Sequence, residues 1–176
     1  LQPNTYPVIE KNTEIEYINS LTKNKIVNIF PIGALTKKSN GDELSEILDM
    51  KESGAIAFGD YKRPITNPNI LKLALEYTSV SRLPVFSYPE DKNISQEGVM
   101  NEGLISTSLG LRGIPSIAEE INIARDLSIL EYTMGYLHIP TISSARSVDL
   151  IREAKSKKLN ISCSVAIHNL FFLDEM

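Results

Sequence analysis

Short apolar runs alternate along this chain with longer stretches whose apolar residues recur at helical spacing, the pattern of strands separated by helices. The clearest unit is Tyr136-Leu-His-Ile-Pro-Thr-Ile-Ser143, with apolar or aromatic side chains at Tyr136, Leu137, Ile139 and Ile142. It reads as a short buried strand. A long helical run opened by Pro115, most regular from Ile117 to Tyr132, precedes it, and a helix over about 146–157, carrying Val148, Leu150, Ile151 and Ala154, follows. The strand is therefore the middle of a β–α–β unit, and its C-terminal end is where a parallel α/β fold gathers its chemistry.

The same pattern extends in both directions. Pro3-Asn-Thr-Tyr-Pro7 predicts a turn, and Thr13–Leu21 a short helix. Lys25–Phe30, rich in β-branched residues, predicts a strand. Ser39-Asn-Gly-Asp42 predicts a turn with Asp42 capping a helix over Glu43–Lys51, ended by Gly54. Ala55–Phe58 predicts a strand running into Gly59-Asp60-Tyr61. Asn67 and Pro68 open a helix to about Thr78, and Leu83–Ser87 is a further strand. Pro89–Glu97 reads as a polar loop, Val99–Leu109 as a short helix, Gly110 and Gly113 as a turn, and Asn160–Ala166 as a last strand. Strict alternation of helix and strand with short connections predicts a parallel sheet with right-handed crossovers. A doubly wound sheet and part of a (β/α)8 barrel both satisfy it. No linker divides the chain, so residues 1–176 are expected to form a single domain.

Composition narrows the function classes. The 176 residues are 42% hydrophobic and 23% charged, ordinary for a soluble globular domain. A net charge of -4, with no clustered Lys/Arg stripe, argues against a nucleic-acid partner. Lys155-Ser-Lys-Lys158 falls at a helix end, where cations favour the dipole. No run is long and apolar enough for a membrane helix and no signal-peptide pattern opens the chain, so a cytoplasmic protein without a membrane partner is the default expectation. The opening Leu1-Gln-Pro3 and the ending Phe171–Met176 suggest an internal piece of a longer protein.

Candidate chemistry is sparse. His138 and His168 lie 30 positions apart, with no Cys or His near either. A zinc site needs three or four nitrogen, thiolate or carboxylate donors, so each histidine reads better as a hydrogen-bonded, half-buried imidazole. Cys163, the single cysteine, excludes an internal disulfide and has no base beside it. Asp60 is the strongest candidate because it ends an apolar strand, although capping or solvation would explain it equally well. Glu119-Glu120 on the long helix is expected to be structural, pairing with Arg125 or nearby lysines. No G-x-G-x-x-G turn or P-loop is present.

Several motifs in order nevertheless resemble dihydroorotase, of the type related to bacterial enzymes that associate with aspartate transcarbamoylase. They are Pro3-Asn-Thr-Tyr-Pro-Val-Ile9, Met100-Asn-Glu-Gly103, Leu109-Gly-Leu-Arg-Gly-Ile-Pro115, Ala118-Glu-Glu120 and Ala124-Arg-Asp126. Ser147-Val-Asp-Leu-Ile-Arg152, His168-Asn-Leu170 and Asp174-Glu175 continue the match over essentially the whole chain. The resemblance implies an amidohydrolase-type (β/α)8 TIM barrel, of which this chain holds about strands 2 to 7. The first strand with its His-x-His metal motif, and the eighth with a metal-binding Asp, would lie outside it. Active members hydrolyse dihydroorotate reversibly to N-carbamoyl-L-aspartate with zinc, a step of pyrimidine biosynthesis.

The ligand positions that the resemblance places inside this chain are all altered. Phe58-Gly-Asp-Tyr61 matches a Ser-Asp-Asp-Gly motif, so Tyr61 stands where the ligand Asp is expected, with Asp60 retained beside it. Tyr88 stands in place of a ligand histidine, and Thr141 in place of another, while His138 matches a histidine that is not a ligand. Asn4 matches an asparagine that contacts substrate. Neutral hydroxyls are poor zinc donors compared with imidazole and carboxylate. The expectation is a catalytically degenerate homologue with no catalytic residue and no bound metal in this chain. It would serve as a partner or scaffold of aspartate transcarbamoylase, in a homo-oligomer. The competing expectation is an active zinc-dependent cyclic amidohydrolase whose ligands come from elsewhere.

Overall fold

The computed structural model describes residues 1–23 and 25–172; Asp174-Glu175 lies outside them. Its centre is a row of apolar side chains that crosses the sheet. Phe58, Val85, Leu137 and Ile161 sit side by side on successive parallel strands, and all are buried. They belong to β2 (Ala57–Gly59), β3 (Val85–Phe86), β6 (Leu137–Ile139) and β7 (Ile161–Cys163). With β1 (Ile32–Gly33) these strands form one five-stranded sheet in the order β1-β2-β3-β6-β7, parallel throughout. Leu1 extends it by one more position: its amino group donates to the Phe30 carbonyl at 2.7 Å and its carbonyl accepts from Ile32 N at 2.8 Å. Six consecutive strand positions are thus filled.

Helices cover the apolar row. α3 (Pro68–Ser79), α6 (Ile117–Thr133) and α7 (Ala145–Ser156) contribute Leu71, Leu75, Ile123, Leu130 and Ile151 to the same core. Burying each such side chain is worth roughly 1.5–3 kcal/mol. Because side chains alternate along a strand, the next row faces away from the helices. It consists of Gly59, Phe86, His138 and Ser162, and its exposure grows toward β7. A side chain at Gly59 has no room: a Cβ there would lie 2.7 Å from Phe86 Cβ and 2.9 Å from Phe86 O. The parallel sheet, its single helical layer and its open second face are those of part of a (β/α)8 barrel.

Local signals explain most boundaries. α1 is Asn12–Thr22, close to its expected span. The Asn67 side chain accepts from Asn69 N at 3.0 Å, with Pro68 at the first helical position. Four expectations need correction. Lys25–Phe30 is not a strand; Ile26, Val27, Ile29 and Phe30 are exposed, and pairing begins at Ile32. A β-branched run becomes a strand only when a neighbour takes its hydrogen bonds. Asp42 caps nothing, because residues 43–45 fold back on 35–37 through Lys37 N to Glu43 O and Ser45 N to Leu35 O, delaying α2 to Ile47–Glu52. The loop at 89–97 contains α4 (Lys92–Ser95), capped by the Asp91 side chain on Asn93 N and Ile94 N. Val99–Leu109 divides into β4 (Met100–Asn101) and α5 (Leu104–Leu109); β4 pairs with β5 (Gly113–Ile114) in a separate two-stranded ladder. No helix among the described residues is long and apolar enough to cross a membrane.

Candidate functional site

All five strands run the same way, so their C-terminal ends and the loops beyond them share one rim. Asp60 follows β2 directly but turns toward the loop after β1. Its Oδ1 accepts from Leu35 N at 2.9 Å and Thr36 N at 3.1 Å, and its Oδ2 from Thr36 Oγ1 at 2.5 Å. Burial pushes its pKa up, against the opposing pull of the Thr36, Leu35 and Ser39 hydrogen bonds. Its oxygens are committed to holding the β1 loop.

Tyr61 comes next, half-exposed and with left-handed backbone (φ 59°); the Lys62 ammonium lies 5.9 Å from its ring centre. Tyr88, two residues beyond β3, and Thr141, two beyond β6, line a common cavity of about 690 Å³. Lys62, Glu90, Glu119 and His168 share its wall. Tyr61 does not line the cavity, yet its phenol is near enough to act on that of Tyr88. The pKa of Tyr88 is raised, first by burial and then by Glu90, Glu119 and Tyr61, which keeps the phenol neutral. Thr141 also has left-handed backbone (φ 54°), and its N–H donates to Ser164 Oγ at 3.2 Å. A β-branched residue in that region is strained.

The two histidines do not converge. His138 points from β6 into the row facing away from the helices, where its Nδ1 lies 2.8 Å from Ser162 Oγ and its ring packs on Phe86 with centroids 4.5 Å apart. Burial lowers its pKa, leaving a neutral imidazole at physiological pH. His168 is exposed on the cavity wall, and Cys163 is half-buried on β7. Asn4 is exposed in the N-terminal loop and is not among the cavity-lining residues.

Glu119 has a larger part than its sequence position implies. Its carboxylate accepts from Ser143 N, Ser143 Oγ and Ser144 N at 2.7–3.1 Å, closing the turn between β6 and α7. Ser144 Oγ in turn donates to Glu120. The expected pairing with Arg125 is not formed. Arg125 instead grips the buried Asp126 at 2.7 Å and the carbonyl of Ile65 at 2.8 Å. Ser143-Ser144 before a helical run was the available signal, since it announces a capped N-terminus. Here no side chain caps the helix itself; a carboxylate from another helix takes the amides just before its start, which local spacing does not reveal.

These donors do not fit a zinc centre. Among the described residues no three His, Cys, Asp or Glu side chains are grouped to hold a metal ion. Tyr88 and Thr141 offer neutral hydroxyls and the Asp60 oxygens are already bonded.

Comparison with known proteins agrees with the geometry. The chain is 45% identical over 173 residues to a dihydroorotase of Pelotomaculum thermopropionicum, covering 98% of this chain and 40% of that protein. It is 46% identical over 175 residues to a dihydroorotase of Endomicrobium trichonymphae, covering 99% and 42%. It therefore spans about two-fifths of the length of these relatives. Among solved structures, the L-hydantoinase (dihydropyrimidinase) from Arthrobacter aurescens superposes with a TM-score of 0.72 at 16% identity, over 94% of this chain and 38% of that one. A D-hydantoinase superposes with a TM-score of 0.69 at 13% identity, over 99% and 40%. At these identities the likeness establishes a shared barrel fold and nothing about substrate. The family model described as Dihydro-orotase-like matches residues 1–147, and with the curated relatives it shows that the chain belongs to the dihydroorotase family.

Proposed function

We propose that this protein is a catalytically degenerate dihydroorotase homologue of pyrimidine biosynthesis that acts as a partner or scaffold for aspartate transcarbamoylase. One observation carries the proposal. Tyr88 and Thr141 present hydroxyls to the cavity where the family resemblance leads one to expect imidazoles, and Asp60 is occupied by the β1 loop. A metal-dependent amide hydrolysis needs a metal to polarise the carbonyl and to generate hydroxide near neutral pH. Substituting these donors removes that capacity while leaving the framework around them folded.

The competing proposal is an active cyclic amidohydrolase with ligands supplied by other parts of a longer chain. The retained cavity, open and with polar walls, favours it to that extent. The deciding experiment follows conversion of carbamoyl aspartate to dihydroorotate with added zinc, by the protein alone and after mixing with purified aspartate transcarbamoylase. The scaffold role predicts no turnover above background by the protein alone, co-elution with the transcarbamoylase, and an altered assembly of that enzyme. Zinc-dependent turnover by the isolated protein establishes the amidohydrolase instead. Failure to co-elute with the transcarbamoylase removes that partner.

A further inference from the structure

α5 and α7 each carry a buried serine at the third helical position, and only α5 uses it. In α5 the N-cap is Gly103, and its N–H donates to Ser106 Oγ at 3.0 Å. A serine at this position therefore reaches far enough to close one half of a capping box. In α7 the N-cap is Ser144, with extended backbone, and Ser147 stands at the corresponding place. Both halves of a box are open to this pair: Ser147 Oγ can accept from Ser144 N, and Ser144 Oγ from Ser147 N. Neither half is made. No side chain caps α7, and Ser147 Oγ, fully buried, has no hydrogen-bond partner among the described residues. The carboxylates of α6 engage Ser144 instead, Glu119 accepting from its N–H at 3.1 Å and Glu120 from its hydroxyl.

We propose that the turn between β6 and α7 is a two-state latch. In the latched state, the one observed, Glu119 holds Ser143 and Ser144 and leaves Ser147 unpaired. In the released state Ser144 and Ser147 cap α7 between themselves, as Gly103 and Ser106 do in α5, and the Glu119 carboxylate is free. Around Ser144 the exchange conserves hydrogen bonds, because Ser147 Oγ takes the amide that Glu119 gives up. It also removes the penalty of a buried hydroxyl without a partner. The bonds from the Ser143 N–H and hydroxyl to Glu119, at 2.7–3.0 Å, weigh the other way and favour the latched state. Ser143, Ser144 and Glu119 all line the cavity, so the latch sets the character of that wall: a bonded carboxylate when closed, an unpaired one when released. This inference is independent of whether the cavity is catalytic.

The test is a double-mutant cycle on the whole chain, with Ser147→Ala, Glu119→Ala and the two combined. Exchange of the Ser144 amide is read by NMR, and Tm by thermal denaturation. In the parent protein Ser147→Ala should leave Ser144 exchange unchanged and should not lower Tm, because Ser147 Oγ holds nothing in the latched state. In the Glu119→Ala background Ser147 has taken over the amide. There the same substitution should speed Ser144 exchange about tenfold and lower Tm by about 2–4 °C. An effect of Ser147→Ala no larger in the Glu119→Ala background than in the parent overturns the proposal. Should Glu119→Ala fail to fold, the cycle is run on Glu119→Asp, one methylene short of Ser144, with the same two outcomes.

Discussion

The two faces of this molecule that meet along β2, β3 and β6 are built by opposite rules. The helix-facing row, Phe58-Val85-Leu137-Ile161, is apolar, buried and continuous with α3, α6 and α7. The rim at the strand ends is polar, partly exposed and locally strained, with Tyr61 and Thr141 both in the left-handed region. Substitution in the first region is limited by close packing. In the second it changes chemistry at little cost to the fold. That asymmetry explains how a barrel can keep its fold while the side chains along its rim change.

The largest expected contrast comes from truncating one side chain in each region. Leu137→Ala removes a fully buried side chain from the centre of the row and should cost about 4 kcal/mol in urea denaturation. Tyr88→Phe at the rim removes one hydroxyl and should cost well under about 1 kcal/mol. Comparable losses would mean that the rim is as tightly integrated as the core.

A buried polar connection provides the next test. Asp126 is completely buried, accepts from Ser87 Oγ at 2.5 Å, and binds Arg125, which in turn holds the carbonyls of Ile65 and Thr66. Asp126→Ala leaves the guanidinium without its charged partner and should cost about 3 kcal/mol. Arg125→Met in the same background should recover part of that loss, since the charge left unpaired would be gone. Thermal denaturation of the single and double variants reads both effects.

Titration of Asp60 sharpens the comparison from the rim side. Its folded pKa is raised by burial, so the native state binds its proton more tightly than the unfolded chain does. Stability contributed by this group is therefore greatest at low pH. It falls as pH rises from the ordinary Asp value through the folded value, and is level above that. Asp60→Asn should remove this segment of the pH dependence, measured as Tm between acid and neutral pH. An unchanged slope would place the responsible group elsewhere, with the buried Asp126, shifted the same way by burial, the first alternative.

The sequence made the regular framework legible because its signals are local. Apolar runs of the β2 and β6 regions, the Asn67-Pro68 start of α3 and the spacing of α6 and α7 each carry their own structure. Elements that depend on distant partners were not legible. The run at Lys25–Phe30 lacks the neighbour that would make it a strand, Asp42 is displaced as a cap by backbone pairing of 43–45 with 35–37, and the turn into α7 is held by Glu119 of α6. The candidate site was legible only in part. Motif order placed Tyr88 and Thr141 at strand ends, where they meet in one cavity, but nothing in the spacing showed that Tyr61 stands off its wall or that Asp60 is spent on Thr36.

Backbone strain at the rim predicts a small gain. Thr141→Gly removes the Cβ at φ 54° and should stabilise the protein by about 1 kcal/mol, since the left-handed region disfavours L-residues by that order. Thr141→Ala retains the Cβ and should give much less. A stabilisation from the alanine variant equal to that from glycine would show that the hydroxyl, and not the backbone, is the unfavourable element.

The smallest effect is expected on the packed side, at a residue that breaks that side's own rule. Ser147 in the first turn of α7 is fully buried, and its Oγ has no hydrogen-bond partner among the described residues. A buried hydroxyl without a partner forfeits its hydration and gains nothing in return, so an apolar replacement of similar size removes a penalty. Alanine also favours the helix interior over serine by a few tenths of a kcal/mol. The deleted oxygen leaves a void, which works against both gains. These opposed contributions should leave Ser147→Ala between neutral and about 1 kcal/mol more stable. A loss of about 2 kcal/mol in urea denaturation would instead identify an ordered water bonded to Oγ, and polarity at this point would then belong to the core's design.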